Sequence, residues 1–306
     1  MGSIAFVFPG QVSQYVGMAR DFYDDDPDSR AFIDHADQTL GIPLSRICFE
    51  GPEDELRQTR NTQPAIFLHS IVVARRLQGI KPDMVAGHSL GEYSALVVAG
   101  AIEFSDALQL VRLRGELMQK AGEAIKGTMA AVVGLEAEAV ENVCHHASSA
   151  GIVQPANFNS PGQIVISGSV EGVREAMRLA RESGAKLVKE LVVSGAFHSP
   201  LMEEAGEGLR AALEKTPLRD AALPVYANVT AEPVTRGADI RDLLHRQLTS
   251  PVRWEQSVRN MVRDGAGTFY EVGPGKVLQG LIRRTAAAAR TGGFEKFAEM
   301  GGGRDS

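Results

Sequence analysis

Two cysteines, Cys48 and Cys144, are all that the chain contains. They are too few for a disulfide framework, and their spacing matches no metal-ligand pattern. Such sparse use fits a reducing compartment, so the expectation is a cytoplasmic protein without a metal. No apolar run approaches the roughly 18 residues of a membrane-spanning helix. The first strand begins almost at once, with no charged segment ahead of an apolar one, which predicts no signal peptide. Positive charge is in deficit: 32 Lys and Arg face 38 Asp and Glu, a net charge of -6. A chain with that balance is a poor nucleic-acid binder. Repeats of solenoid period are missing too. What remains is an ordinary globular composition over 306 residues, 44% hydrophobic and 23% charged. That length suits one large domain or two modest ones, with ample core.

One stretch organises the rest. Met84-Val85-Ala86 reads as a short buried strand and Leu90 to Ala99 as a helix. Between them lies Gly87-His88-Ser89-Leu90-Gly91, a Gly-x-Ser-x-Gly pentapeptide in a strand–turn–helix setting. That setting makes Ser89 a candidate nucleophile on a sharp elbow. A Cβ on either flanking glycine would clash inside such a turn. The helix start supplies unpaired N–H groups and a positive dipole end where an oxyanion would form.

Upstream, Ile4 to Phe8 is a continuous apolar strand of the buried parallel type, ending in the turn Pro9-Gly10-Gln11. Pro27 to Thr39 looks helical, Glu50 to Thr62 a polar loop with a short helix, and Gln63 to Leu77 a helix leading to the elbow strand. The next helix, Ser105 to Ala121, has Leu110, Leu113, Leu117, Met118 and Ala121 on one apolar arc. Arg114 falls in the middle of that arc. An Arg there snorkels, pairs with a buried acid, or awaits an anionic ligand, and periodicity alone does not choose. Gly115 beside it is consistent with close backbone approach.

From Thr128 the pattern becomes strand, helix, strand, turn, strand, helix, strand, closing at Val193. That βαββαβ order is the ferredoxin-like arrangement. The expected architecture is α/β. A large α/β-hydrolase-like domain with a short parallel sheet spans 1–124 and 195–285, with a small ferredoxin-like domain, 125–194, inserted in it. Strands at Pro224 to Val229 and Thr268 to Val272 belong to the large domain. Residues 286–306 form a tail that is expected to be poorly ordered, at least at its end.

A serine nucleophile needs a base within reach. Of seven histidines, His35, His69, His145, His146 and His245 fall on predicted helices with no partner suggested. His88 adjoins Ser89, but neighbours on a tight turn point in different directions. His198, on a loop at the domain junction and flanked by Phe197, is the best base, against a cleft histidine with a structural role only. No Asp or Glu stands out to orient it, so a backbone carbonyl is a natural third partner.

Phe8-Pro9-Gly10-Gln11, Gly87 to Glu92, Arg114-Gly115, Asn157 to Gln163, Gly195 to Ser199 and Glu271 to Gly275 occur in this order. Together they resemble the malonyl-CoA:acyl-carrier-protein transacylases of type II fatty acid synthesis, a family that includes the acyltransferase domains of polyketide synthases. The resemblance covers about residues 4–285. It implies that Ser89 carries the acyl group, that His198 is its base, and that Gln247 orients the histidine, largely through its carbonyl. It implies an oxyanion hole from the N–H groups of Gln11 and Leu90, and a malonyl carboxylate on Arg114. Asn157, His88, Met118 and Phe197 would line the substrate site. Malonyl-CoA and acyl-carrier protein become the expected partners of a monomer, with no cofactor, no nucleic acid and no membrane. The runner-up functions are a free-standing polyketide acyltransferase, a serine thioesterase or esterase, and a non-catalytic carrier-binding module. One departure is visible: the family usually has glycine where this chain has Val12, and a β-branched residue disfavours positive φ.

Overall fold

The computed structural model describes residues 2–301. It contains two separate sheets in a mixed α/β arrangement. The chain opens on β1 (Ser3–Phe8). Phe6 and Phe8 point into a core shared with the long helices, while Ala5 and Val7 point into a second core with Trp254 and Phe269. Both faces of this strand are therefore covered, which is why its sequence is apolar throughout rather than alternating.

Helices α1 (Arg20–Asp25), α2 (Pro27–Leu40), α3 (Leu44–Glu50), α4 (Glu53–Leu56) and α5 (Thr59–Arg76) follow. Asp26 caps α2 by accepting from the Ser29 N–H at 2.9 Å, with Pro27 at the first helical position. α5 starts at Thr59, ahead of the expected Gln63, and so holds Pro64 inside it. A proline there removes the hydrogen bond to the carbonyl four residues back. That carbonyl, of Arg60, accepts instead from Arg112 Nη1 at 2.9 Å. β2 (Met84–Gly87) then pairs parallel with β1 and runs into α6 (Gly91–Val98) and α7 (Phe104–Ala124).

The second sheet uses β3 (Gly127–Val133), β4 (Val153–Ser160), β5 (Gln163–Ser169) and β6 (Leu187–Glu190), in the order β4-β5-β3-β6, all antiparallel. Helices α8 (Ala137–Ala147) and α9 (Val170–Glu182) cover it with a core of their own. β6 ends at Glu190, short of the expected Val193: Leu191 N still donates to Met129 O at 2.8 Å, and the chain then turns away with Leu191 to Val193 lining a cavity. The sheet is tied back to the rest through Val252, whose N–H donates to Ala156 O at 2.8 Å and whose carbonyl accepts from Phe158 N at 2.9 Å.

The chain returns through α10 (Glu203–Lys215), β7 (Val225–Tyr226), β8 (Pro233–Val234), α11 (Gly237–Gln247), α12 (Trp254–Arg263), β9 (Ala266–Val272) and α13 (Val277–Thr285). β7 is only two residues long, and Asn228, just beyond its end, reaches the elbow. The tail expectation needs correction. Residues 290–294 form β10 (Arg290–Phe294), parallel to β9, completing the order β10-β9-β1-β2-β7-β8. Beyond it, Phe297 packs edge-on against Phe22 at 5.6 Å and donates its N–H to Asp21 Oδ2 at 2.8 Å. Gly292 and Gly293 read as weak strand formers. Yet a Cβ on Gly293 would lie 2.5 Å from Gln279 Nε2 of α13 and 3.0 Å from Glu271 O, so a larger residue would have to displace the Gln279 side chain. Residues 302–306 of the expected tail lie outside the described residues.

Ending the chain after Thr285 would remove β10 and bare the edge of β9. Thermal unfolding should then shift down by about 5–10 °C, the response to losing a few kcal/mol in a chain of this size. An unchanged melting temperature would show that the segment adds no stability.

Candidate active site

The elbow is built by two missing Cβ atoms. A Cβ on Gly87 would sit 1.8 Å from the Gly91 carbonyl carbon, and one on Gly91 would sit 2.1 Å from Phe8 O. α6 therefore starts directly against the ends of β2 and β1. Ser89, at the apex, has φ 51, a left-handed conformation that costs an ordinary L-residue about 1–2 kcal/mol. Asn228 holds it there. Its Oδ1 accepts from Ser89 N at 2.7 Å, and its Nδ2 donates to Gly87 O at 2.6 Å.

His198 stands on the loop after the second sheet, also at positive φ, 56. Its Nε2 lies 2.9 Å from Ser89 Oγ and its Nδ1 2.9 Å from the main-chain carbonyl of Gln247. A carbonyl can only accept, so Nδ1 carries the proton and Nε2 presents its lone pair to the serine hydroxyl. That is the tautomer a general base needs, set without an acid. The carbonyl of His198 is itself held by Gln154 Nε2 at 2.9 Å. Burial, and then the Arg114 guanidinium, push the imidazole down to a pKa of about 3. It is neutral at any physiological pH.

Arg114 does not snorkel: it is fully buried. Nη1 donates to Gln63 Oε1 at 2.7 Å, and Nη2 donates to Gln247 Oε1 and to Ser89 Oγ, each at 3.0 Å. Its Cζ lies 5.8 Å from the Tyr93 ring centroid, while its Nε has no hydrogen-bond partner. Among the described residues no carboxylate touches it. Gly115 lets α7 approach α5 closely, since a Cβ there would come within 2.8 Å of Thr59 O. That approach brings Gln63 into reach of the guanidinium.

A cavity of about 450 Å³ opens onto Ser89 and His198. Gln11, His88, Met118, Asn157 and Phe197 line it, with Leu191 to Val193 from the strand that leaves the small sheet. Gly10 brings the loop after β1 onto the elbow, as a Cβ there would lie 2.5 Å from His88 O. Among the described residues, the backbone N–H groups of Gln11 and Leu90 donate to no protein acceptor. Gln247 serves through its side chain as well as its carbonyl. Its Nε2 donates to Ser89 O at 3.0 Å and to Glu92 Oε2 at 2.8 Å. His88 points away from the hydroxyl: its Nε2 meets Asn159 Oδ1 at 2.9 Å and its ring lies against Trp254.

Sequence reasoning missed Gln63, Glu92, Gln154 and Asn228. One signal was present. α6 is apolar nearly all round, so Glu92 on it had no polar face to occupy and had to be buried with partners. Elsewhere, His69 is buried and bonds Glu295 O at 2.8 Å, and His245 pairs with Glu207 at 3.2 Å, both outside the cavity lining.

An acyl transferase domain family matches residues 5–297 of this sequence. The chain belongs to the acyl transferase family. It is 48% identical over 294 residues to the malonyl CoA-acyl carrier protein transacylase of Bacillus subtilis, covering 95% of this chain and 93% of that one. The enzyme of that name from Escherichia coli K12 is 44% identical over 287 residues, 93% of each chain. Among solved structures, an acyl carrier protein S-malonyltransferase from Vibrio cholerae superposes with a TM-score of 0.93 at 41% identity, covering 97% of this chain and 98% of that one. A malonyl-transacylase in complex with a type II PKS acyl-carrier protein gives a TM-score of 0.93 at 39% identity, covering 97% of both chains.

In this acyl transferase the loop after β1 carries a cost. Val12 is 79% exposed at φ 83, so a β-branched side chain occupies left-handed backbone with almost no packing in return. Val12→Gly relieves about 1–2 kcal/mol of left-handed strain and loses about 0.5–1 kcal/mol in chain entropy. The urea midpoint should therefore rise slightly, where an exposed Val→Gly change elsewhere lowers it. A clear drop would mean that the loop is not strained.

Proposed function

We propose that the chain transfers malonyl groups from malonyl-CoA to the phosphopantetheine thiol of acyl-carrier protein, through an ester on Ser89, supplying fatty acid synthesis. The observation that carries this reading is a fully buried guanidinium 3.0 Å from the hydroxyl of Ser89. An esterase for neutral acyl groups has no use for a desolvated cation beside its nucleophile. A short diacid does, because its free carboxylate can take up charge-assisted hydrogen bonds from Arg114.

His198 Nε2 takes the Ser89 proton as Oγ attacks the thioester carbonyl. The N–H groups of Gln11 and Leu90 stabilise the oxyanion. Collapse of the tetrahedral intermediate breaks the carbon–sulfur bond, and the departing sulfur receives the proton from His198. The carrier thiol then reverses these steps, giving ping-pong kinetics. The Gln247 carbonyl orients His198, while Asn157, His88, Met118 and Phe197 shape the cavity. No metal or redox cofactor enters this chemistry. On the same reading the protein is a cytoplasmic monomer with an α/β-hydrolase-like large domain (1–124 and 195–285) and a ferredoxin-like small one (125–194). The names of the relatives support the substrate pair. The neighbour solved with a type II PKS carrier uses the same substrate class, so preference between fatty-acid and polyketide carriers separates those two pathways.

Intact-mass measurement after mixing with malonyl-CoA tests the reading: a malonyl adduct on the Ser89 peptide, discharged by holo carrier, is expected. Rapid release of free malonate with no carrier product would make the protein a thioesterase. Arg114→Ala should lower kcat/KM for malonyl-CoA about 10–100-fold more than for acetyl-CoA, the loss expected for hydrogen bonds to a charged group. Equal losses would remove the clamp.

The pH profile tests the base. His198 with its pKa near 3 is neutral, and so competent, at every pH above that value. For acetyl-CoA, kcat/KM for acylation should be flat from about pH 5 to 8, and His198→Ala should lower it about 10²–10⁴-fold. An acidic limb centred near an ordinary histidine pKa would contradict the depressed basicity.

A further inference from the structure

Glu92 is unused by the mechanism above, yet it is the acid that faces the buried cation. It lies three residues beyond Ser89 and is 3% exposed. Its Oε2 accepts from Asn228 N at 3.0 Å and from Gln247 Nε2 at 2.8 Å. Gln247 passes the contact on, because its Oε1 accepts from Arg114 Nη2 at 3.0 Å. An acceptor-only carboxylate and a donor-only guanidinium thus sit at opposite ends of one amide. The charges are close enough to influence each other and too far apart to form an ion pair.

In the free site, one buried negative charge offsets one buried positive charge. A malonyl group on Ser89 brings a second carboxylate to the same guanidinium. Two carboxylates sharing one cation away from water do not both stay ionised, since like charges raise each other's proton affinity. We infer that Glu92 is the counter-charge of Arg114 in the empty site and takes up a proton when the malonyl carboxylate arrives. It is a positioning and charge-balancing residue, and this assignment rests on the malonyl-transfer reading. Its carboxyl is poised for the exchange, because burial has pushed its pKa up to about 7. The other groups facing it do not compete. Tyr93 is pushed well above its ordinary value by burial and stays neutral; burial lowers the pKa of Arg114, but a guanidinium is not deprotonated in a protein. His198 feels Arg114 too, but starts from far lower basicity.

The proton balance is explicit. In acylation the Ser89 proton moves through His198 to the CoA sulfur, so the transfer itself takes nothing from solvent. Any net uptake comes from a group that changes its pKa. Mixing the wild-type protein with malonyl-CoA in weak buffer at pH 7.5, with an indicator dye, should consume about 0.5–0.8 proton per Ser89 adduct, while acetyl-CoA should consume none. In the same protein, the malonyl-to-acetyl ratio of kcat/KM should fall as pH rises above 7, by about tenfold by pH 8.5. Glu92→Gln keeps an acceptor for Asn228 and Gln247 but cannot titrate. Its uptake should vanish and its ratio should no longer depend on pH. Uptake that persists in Glu92→Gln would put the proton on His198 and overturn the assignment. A wild-type adduct formed without uptake would overturn it as well, and needs no folded variant. Absence of any malonyl adduct on wild-type Ser89 would instead bring down the functional reading itself.

Discussion

A guanidinium sealed from water must be given partners, and the centre of this molecule is arranged around meeting that demand for Arg114. The partners are neutral: the side-chain amide oxygens of Gln63 and Gln247 and the Ser89 hydroxyl, with the Tyr93 ring nearby. A contacting carboxylate would have satisfied the cation more fully and cancelled it. Amide acceptors hold the side chain in place and leave its charge available to an arriving anion. The helices follow from that choice. Gly115 permits the α5–α7 contact that delivers Gln63, and α11 ends where Gln247 can bond both Arg114 and the elbow.

The second constraint is strain at Ser89 and His198, both at positive φ. Neither backbone conformation is favoured locally, so each has to be enforced from outside. Ser89 is gripped on both sides of its peptide, at N by Asn228 and at O by Gln247. The His198 carbonyl is tied by Gln154 from the small sheet, and its ring by Gln247 from the large unit. The base is therefore fixed relative to both units at once. The β4–Val252 hydrogen bonds, which fasten the small sheet to the connection between α11 and α12, serve the same alignment.

Much of this was legible where chemistry is local. The elbow needs only a strand, two glycines and a helix start, all adjacent in the chain. Arg114 was legible as an anomaly because a 3.6-residue period fixes which face a side chain occupies. Which of three fates it met was not, since that depends on Gln63 and Gln247, far away in sequence. Asn228 was invisible for the same reason: it looked like the end of a strand, and its role is to leave one. β10 was missed because glycine lowers strand propensity, while the reason for glycine, the side chain of Gln279, lies on another element. Resemblance to a known family supplied Gln247, which no local pattern marks.

One charge acts on two things that must cooperate. On the proposed malonyl-transfer reading Arg114 attracts a carboxylate, and the same positive charge adds to burial in depressing the proton affinity of His198. With a neutral acyl group in the cavity that depression persists, and the serine is served by a weak base. With a diacid on that reading, the offsetting negative charge moves from Glu92, one amide away from the guanidinium, into direct contact with it, so the field on His198 weakens as the thioester comes into place although the net charge is unchanged. Selection then operates on the chemical step as well as on binding, because the benefit grows as positive charge develops on the imidazole in the transition state. A site that merely bound malonyl groups tightly would gain nothing once saturated. On the same reading, a cation within hydrogen-bond reach of the Ser89 hydroxyl couples recognition to proton transfer, which accounts for a fully buried guanidinium at that place.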